Sequence, residues 1–394
     1  MIYFIVLILL LLLSFRYDIN GKTKGRDQWY LVVLIIIILI AGMRWRIGTD
    51  TTVYINQFYH DTPVLSDITS DSFALGAKPL WLLLNSIVLT MGGRFYIVQL
   101  IQAAFVNCLI FRYIKKHSPY IFVCVSLYFV WMFLAYNTQE MKASMAVAVC
   151  LYANDYILEK RYYQGVFLII IGCFFHFSTV LILITPIFFF IRLNKTGLII
   201  LCLSFFVGLV IQQSFGDYLE LFEFDATISH KAQHWAPAVE NSGRNMTYYL
   251  FNVYPYILYS LILLIYFKLK YPEDHILRFE PCILIGVITY LLHINVHFFY
   301  RFAHFYAVYL IFFLSSFFVK TIKSNDKLGI GVAISRSFML LFPILFSIFL
   351  HYYQQQNYRM YYPYSSIIER KISKERERRF NLNLERPAPN RNEY

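Results

Sequence analysis

The stretch LVVLIIIILIAGMRWRIGTD, residues 31–50, sets an unbroken apolar run directly before Arg44, Arg46 and Asp50. Similar apolar runs recur along the chain, at residues 2–15, 165–175, 198–211, 257–267 and 302–319. A membrane core ~30 Å thick is crossed by a helix of about 20 mostly apolar residues. The recurring runs therefore predict an all-α, polytopic helical membrane protein.

The composition agrees with this class. Of the 394 residues, 59% are hydrophobic and 15% are charged, and the mean hydropathy is +0.54, whereas a soluble fold of this size must cover its outside with polar side chains. We expect about 12 to 14 transmembrane helices in one bundle with an extracytoplasmic cavity. Residues 2–15 lack a basic start and a small-residue cleavage site before Arg16, so we interpret them as a helix rather than a signal peptide.

The formal net charge of +12 does not indicate nucleic-acid binding. The basic residues lie in short connections between apolar runs and in the tail, and the positive-inside rule assigns such connections to the cytoplasm. This orientation places residues 44–78 and the tail outside only if residues 79–93 make a re-entrant crossing or one basic loop violates the rule. We favour the re-entrant crossing. The segments assigned to the cytoplasm are 16–26, 115–116, 160–161, 192–195, 268–270 and 320–327.

The chain divides into a transmembrane bundle, residues 1–353, and a basic C-terminal tail, residues 354–394. The bundle includes the outer loops 44–78 and 216–245. The second of these loops mixes acidic, basic and aromatic residues, which suits a mobile carbohydrate-binding flap or a solvated connector.

Within the tail, we expect residues 358–365 to pack against the site. Residues 369–386 form a charged run that we interpret as a helix contacting the surface or the lipid headgroups. The last residues, which include Pro387 and Pro389, are expected to be disordered.

Cations gathered on the outer side need an explanation other than solubility. A charged side chain drawn to the bilayer centre costs ~2.5 to 3.5 kcal/mol, whereas a charge-assisted hydrogen bond to a phosphate returns ~1.5 to 3 kcal/mol. Arginines that share one pyrophosphate therefore offset their own desolvation. The alternative for any single arginine is that it extends to the headgroups. The outer cations include Arg44, Arg46, Arg94, Lys142, Arg244, Arg301 and Arg359.

Short polar and aromatic blocks interrupt the apolar runs in a defined order. They are Arg46-Ile47-Gly48-Thr49-Asp50 with Tyr54 and Phe58, Gln139-Glu140-Met141-Lys142 with Ala146, Phe175-His176-Phe177-Ser178, Arg301, and Tyr362-Pro363-Tyr364-Ser365. In this order they resemble the EpsG family of Wzy-like polysaccharide polymerases, and the resemblance covers most of the chain. Where such proteins often carry arginine, this chain has Lys142, which keeps the charge but loses the bidentate fork.

The resemblance implies a glycosyltransferase in the bacterial cytoplasmic membrane with its active site on the extracytoplasmic side. Such an enzyme transfers a glycan from a polyprenyl pyrophosphate to the non-reducing end of another lipid-linked repeat unit. The protein must neutralise the departing pyrophosphate and remove a proton from the acceptor hydroxyl. The expected partners are undecaprenyl-pyrophosphate-linked oligosaccharides and the lipid bilayer, with a flippase and a chain-length regulator as candidate protein partners and no nucleic acid.

Roles are assigned to polar residues expected near the outer surface. For pyrophosphate binding we favour Arg46 and Arg301, followed by Arg44 and Lys142. The candidates for the catalytic base are Asp50, His176, Glu140 and His304, and those for glycan binding are Tyr54, Gln139 and Tyr364. Two alternatives stay open, because Asp50 would also serve as an ion-pair partner for Arg46, and His176 as an ordinary packed histidine.

No cofactor is expected, and metal-independent transfer is preferred. His293 and His297 are spaced one helical turn apart and His304 follows, but residues 291–304 contain no HExxH motif and no carboxylate. The 6 cysteines all fall inside predicted helices without a CxxC pair, so they are interpreted as packing residues.

Two other classes of function remain as alternatives. A flippase or secondary transporter would share the helices and the buried charge, but the chain shows no repeated half and no mid-helix carboxylate apart from Asp155. A membrane O-acyltransferase would use a histidine deep in the bundle, such as His176 or His293. Two internal halves would favour the transporter, and loss of activity on changing His293 alone would favour acyl transfer.

Overall fold

The computed structural model describes residues 2–70, 78–188, 191–213, 259–295, 299–324 and 358–384. The regular structure in these ranges is helical, with one isolated antiparallel β-bridge between Arg44 and Ser366. The chain is an all-α polytopic membrane protein, as its sequence predicts. The predicted outer loop 216–245 and the predicted disordered end lie outside the described residues.

The helices form two compact units. In the first unit, π-helical turns extend or connect several helices at Ser14–Ile19, Gln57–Asp61 and Ala135–Gln139. The helices of this unit are α1 (Ile2–Leu13), α2 (Arg26–Gly42), α3 (Thr51–Asn56), α4 (Pro79–Thr90), α5 (Phe95–His117), α6 (Ile121–Trp131), α7 (Met141–Leu158) and α8 (Tyr162–Phe175).

The second unit contains the helices that follow the 3₁₀ turn Phe177–Ile184. They are α9 (Thr185–Phe188), α10 (Lys195–Gln213), α11 (Tyr259–Lys270), α12 (Glu280–Asn295), α13 (Tyr300–His304) and the first part of α14 (Ala307–Ser324). The end of α14 belongs to the first unit, together with α15 (Tyr358–Tyr361) and α16 (Lys374–Leu384).

Among the described residues, 4 helical segments are long and apolar enough to cross a membrane. They are Ile2–Ile19, Phe95–His117, His275–Leu292 and Ala307–Ser324. Several other apolar helices are shorter, and α4 is one of them. Its 12 residues rise only about 18 Å, which is less than the ~30 Å hydrocarbon core. The re-entrant interpretation of residues 79–93 and its sidedness stay a prediction, because α6, which is expected to cross the membrane, is as short with 11 residues.

Close packing of α2 on α5 determines where the polar loop after α2 begins. A Cβ atom on Gly42 would lie 2.8 Å from the Leu100 Cα and 2.6 Å from its Cδ1. Such small residues let helix backbones approach closely in membranes. The end of α2 is therefore fixed against the wall formed by α5.

A buried network of amide and hydroxyl groups holds the π-helical turn Ala135–Gln139 in place. Tyr128 donates to Asn107 Oδ1 at 2.8 Å, and Asn107 Nδ2 donates to Asn137 Oδ1 at 2.9 Å. Asn137 Nδ2 in turn donates to the Phe133 carbonyl at 2.8 Å. Because amides buried in an apolar bundle need partners, this network fixes the turn that precedes α7.

A second polar cluster ties α5 to α7 at the end that the sequence assigns to the cytoplasm. The Asp155 carboxylate accepts hydrogen bonds from Tyr113 at 3.0 Å and Lys116 at 2.8 Å, and it lies 2.6 Å from His117 Nε2. The Asp155 side chain is only 4% exposed. Its three neighbours compensate for the loss of water around the buried carboxylate.

We expect Asp155→Ala to destabilise the protein by roughly 3 kcal/mol, because it removes a buried carboxylate that accepts hydrogen bonds from Tyr113 and Lys116 and lies beside His117. The check is the thermal unfolding midpoint of the purified protein in detergent. Glu159→Ala is the matched control, since Glu159 is exposed and lies 3.8 Å from Arg161, and such surface pairs contribute little. Equal unfolding midpoints for the two variants would contradict the assignment.

Candidate functional site

Two residues of the loop after α2 adopt a left-handed backbone conformation. Arg46 has φ +48° and Gly48 has φ +107°. A Cβ atom on Gly48 would lie 2.7 Å from Thr138 Cβ, so the loop lies directly against the π-helical turn before α7. A left-handed arginine is uncommon and persists only where neighbouring contacts hold it. The loop is thus a fixed structure rather than a flexible connection.

The C-terminal segment supplies many of these contacts. It runs alongside the loop and pairs with it through the backbone, although the two are far apart in sequence. The hydrogen bonds run from Trp45 N to Ser365 O (2.8 Å), from Ile367 N to Met43 O (2.8 Å) and from Gly48 N to Met360 O (3.2 Å). Residues 358–367 therefore pack against the loop after α2, and their place at a functional site stays a prediction.

Arg44 is turned into the protein. Its side chain donates to the Ala41 carbonyl and to Met141 Sδ at 3.2 Å, and the residue is 1% exposed. Its Nε has no hydrogen-bond acceptor. Burial lowers the pKa of the guanidinium to about 10, so Arg44 stays charged at neutral pH. The described contacts of Arg44 are structural, and its assignment to pyrophosphate stays a prediction.

Arg46 is half-buried, and its recorded contacts are with aromatic rings. Its guanidinium carbon lies 5.5 Å from the Trp45 ring centroid and 5.8 Å from that of Phe380. Within the described residues it forms no ion pair with Asp50, which is exposed and accepts from Thr49 Oγ1 at 3.2 Å. Ring contacts stabilise the cation without using its N–H donors.

Lys142 begins a neighbouring cluster on the first turn of α7. Its ammonium donates to Gln57 Oε1 at 2.6 Å and lies 5.3 Å and 5.7 Å from the ring centroids of Tyr54 and Trp81. Tyr54 donates its hydroxyl hydrogen to the Gln139 carbonyl at 2.9 Å. Tyr54 of α3 and Lys142 of α7, both predicted for the site, are therefore in contact.

Tyr361 joins this cluster to the C-terminal segment. Gln139 Nε2 donates to the Tyr361 hydroxyl, and burial raises the pKa of Tyr361 to about 12. Tyr364 donates to the Ile40 carbonyl at 3.1 Å. Glu140 lies at the residue before α7, where the helix dipole favours a negative charge.

His176 ends α8 and is held by the turn that follows it. Its Nδ1 accepts from the Ser178 backbone N–H at 3.3 Å and lies 2.5 Å from the Ser178 hydroxyl oxygen. The turn at Ser178 therefore fixes the His176 ring, and the assignment of His176 as a candidate base stays a prediction.

The remaining two predicted residues belong to the second unit. Arg301 and His304 lie on α13, and His304 is 2% exposed. The first unit contains the other predicted site residues, of which Arg46, Tyr54, Gln139 and Lys142 lie on elements in direct contact. In the described ranges, no group of three His, Cys, Asp or Glu side chains is arranged to hold a metal ion.

Sequence reasoning missed the contribution of α16. The charged run was expected at the surface, yet α16 packs on α3, with Arg376 1% exposed and Phe380 0% exposed. The two residues are one helical turn apart and so share a face. The available signal was Phe380, a lone aromatic residue within a charged run.

Comparison with known proteins gives one result. The family model described as the EpsG family matches residues 28–366, which is most of the chain. The match includes the loop after α2, the first turn of α7 and the segment that pairs with the loop, and it ends before α16. No curated protein and no solved structure matches this chain.

The different surroundings of Arg44 and Arg46 predict different effects on stability. We expect Arg44→Gln to lower the free energy of unfolding by roughly 1 to 3 kcal/mol, because buried acceptors lose their donor. Arg46→Gln should cost only about 0.5 to 1 kcal/mol, the value of a ring contact at a partly exposed site. Denaturant unfolding of both purified variants in detergent measures the difference. Equal losses would show that Arg44 is not held as described.

Proposed function

The chain belongs to the EpsG family, whose members are Wzy-like polymerases, and from this premise we propose that it polymerises a lipid-linked glycan. In the proposed reaction a glycan moves from one undecaprenyl pyrophosphate to the non-reducing end of another lipid-linked repeat unit. The reaction takes place on the extracytoplasmic side of the bacterial cytoplasmic membrane. It needs no metal, because the protein's own cations neutralise the leaving group.

The observation that best supports this proposal is the burial of Arg46 and the kind of contacts that its side chain makes. It is a half-buried cation at the end of an apolar helix, and its recorded contacts are with aromatic rings rather than carboxylates. Among the described residues its N–H groups donate no hydrogen bond, and a guanidinium in this situation at a membrane boundary is suited to bind a diphosphate bidentately. Lys142, in the neighbouring cluster at the start of α7, adds a second positive charge.

The chemistry requires one bond to form and one to break. The acceptor hydroxyl oxygen attacks the anomeric carbon of the donor glycan, and the bond from that carbon to the pyrophosphate oxygen breaks. The pyrophosphate leaves with the electron pair, and Arg46 and Arg301 stabilise its charge. A carboxylate receives the hydroxyl proton, with Asp50 and Glu140 as the candidates in the first unit. His304 remains the candidate base of the second unit.

Substrate positioning falls to the residues around Lys142 and the C-terminal segment. Tyr54, Gln139 and Tyr364 provide aromatic surface and hydrogen-bonding groups for a sugar ring. His176, held by the turn at Ser178, is a further candidate base for the acceptor hydroxyl. A flippase that delivers the lipid-linked units and a regulator of chain length are the proposed protein partners.

The transporter alternative receives less support from the described residues. It needs a carboxylate that binds and releases protons or ions within the bundle. Asp155 is instead held by Tyr113, Lys116 and His117 in one cluster. Such a compensated carboxylate is better suited to joining helices than to relaying protons.

We expect Arg46→Gln and Arg301→Gln to leave the protein inserted while cells accumulate single lipid-linked repeat units. The reason is that glutamine cannot compensate the charge that develops on the departing pyrophosphate. The measurement is the length distribution of lipid-linked glycans extracted from cells carrying each variant. Arg16→Gln is the matched control, because Arg16 also lies over a ring, Tyr17 at 5.4 Å, but is assigned to the cytoplasmic side. Long chains persisting in both test variants would reject these two assignments.

The proposal also requires Arg46 and Arg301 to face one compartment. With the native cysteines replaced, Arg46→Cys and Arg301→Cys should both react with a membrane-impermeant maleimide added from the extracytoplasmic side. Lys160→Cys, in a connection assigned to the cytoplasm, should react only after the membrane is opened. Labelling of the two arginine positions from opposite sides would exclude a common pyrophosphate site.

A further inference from the structure

The helix α16 lies beyond the part of the chain that matches the family, yet it is built into the candidate site. Phe380 is 0% exposed and belongs to one buried cluster with Ile47, Met360 and Tyr361. Ile47 is the loop residue directly after Arg46. The packing of α16 therefore acts on the loop at the position of Arg46.

Arg376 fixes α16 to the C-terminal segment that pairs with the loop. Its Nε donates to the Arg359 carbonyl at 3.2 Å, and its Nη2 donates to the Pro363 carbonyl at 2.7 Å. Arg359 also forms an ion pair with Glu375 at 2.6 Å. These contacts hold α16 in one position relative to residues 358–367, and so relative to the loop.

Phe380 thereby presents its ring to the Arg46 guanidinium, together with the ring of Trp45. A long arginine side chain has many rotamers, and a ring on a fixed helix selects among them. The left-handed backbone of Arg46 sets the start of the side chain, and the rings set its end. Both ends of the side chain are thus constrained by neighbours.

We infer that α16 is a working part of the site and that Phe380 is a positioning residue for Arg46. Its ring holds the guanidinium in the orientation that receives the diphosphate of the lipid-linked substrate. This inference rests on the proposed function of Arg46. It assigns a role to a helix that the family match leaves out.

The test is a double-mutant cycle on binding of farnesyl diphosphate, a short polyprenyl diphosphate, to the purified full-length protein in detergent. Phe380→Leu keeps an apolar side chain but removes the ring. It should raise Kd roughly two- to fivefold, the range expected from loss of one cation–π contact. Arg46→Gln should raise Kd further, and adding Phe380→Leu to Arg46→Gln should have no additional effect, because the ring acts only through the guanidinium.

Leu134→Met is the matched control, since Leu134 packs against the same buried cluster and is not a ring partner of Arg46. It should leave Kd unchanged. If Phe380→Leu fails to give folded protein, Phe380→Met, with a flexible apolar side chain, takes its place in the same cycle.

Two results would overturn the inference: an unchanged Kd in the Phe380 variant, or the same fold-change from it with and without Arg46. Failure of the proposed function gives a different result, because Arg46→Gln alone would then bind farnesyl diphosphate like the wild type. The cycle therefore separates an error about Phe380 from an error about Arg46.

Discussion

Where this protein is surrounded by hydrocarbon, its buried charges and polar groups are stabilised by partners within the protein. Water is absent there, and an unpaired polar group costs several kcal/mol. Asp155 meets this constraint with three neighbours from α5, and Asn107 and Asn137 meet it through each other and Tyr128. The same polar groups also fix helices and turns, since each bond joins two elements. The hydrogen bonds that compensate these buried polar groups therefore also hold the helices and turns together.

The candidate site lies against one of these buried polar networks. The amide network fixes the π-helical turn before α7, and that turn presents Thr138 to Gly48 and Gln139 to Tyr361. The loop after α2 is thus held by two groups of contacts. It packs against the π-helical turn that the buried network fixes, and it pairs with the C-terminal segment. A binding site needs groups held closely in place, and here the holding groups come from distant parts of the chain.

Much of this could be predicted from the sequence, because apolar runs and short polar blocks have direct physical meanings. The runs predicted helices, and the order of the blocks indicated the loop after α2, the start of α7 and the C-terminal segment. The position of α16 could not be predicted in the same way. A charged run normally stays in water, and only the contacts of Arg376 and Phe380 reveal that one face is buried.

The contrast between Arg44 and Arg46 shows what lies beyond sequence reasoning. The two residues share a side chain and lie two positions apart, so any pattern assigns them similar roles. The left-handed backbone at Arg46 and the pairing of Trp45 with Ser365 send one guanidinium inward and the other toward the rings. Arg44 uses its charge to join α2 to Met141 at the start of α7. Arg46 instead contacts the rings of Trp45 and Phe380, and this difference between the two arginines depends on backbone geometry that only the folded loop provides.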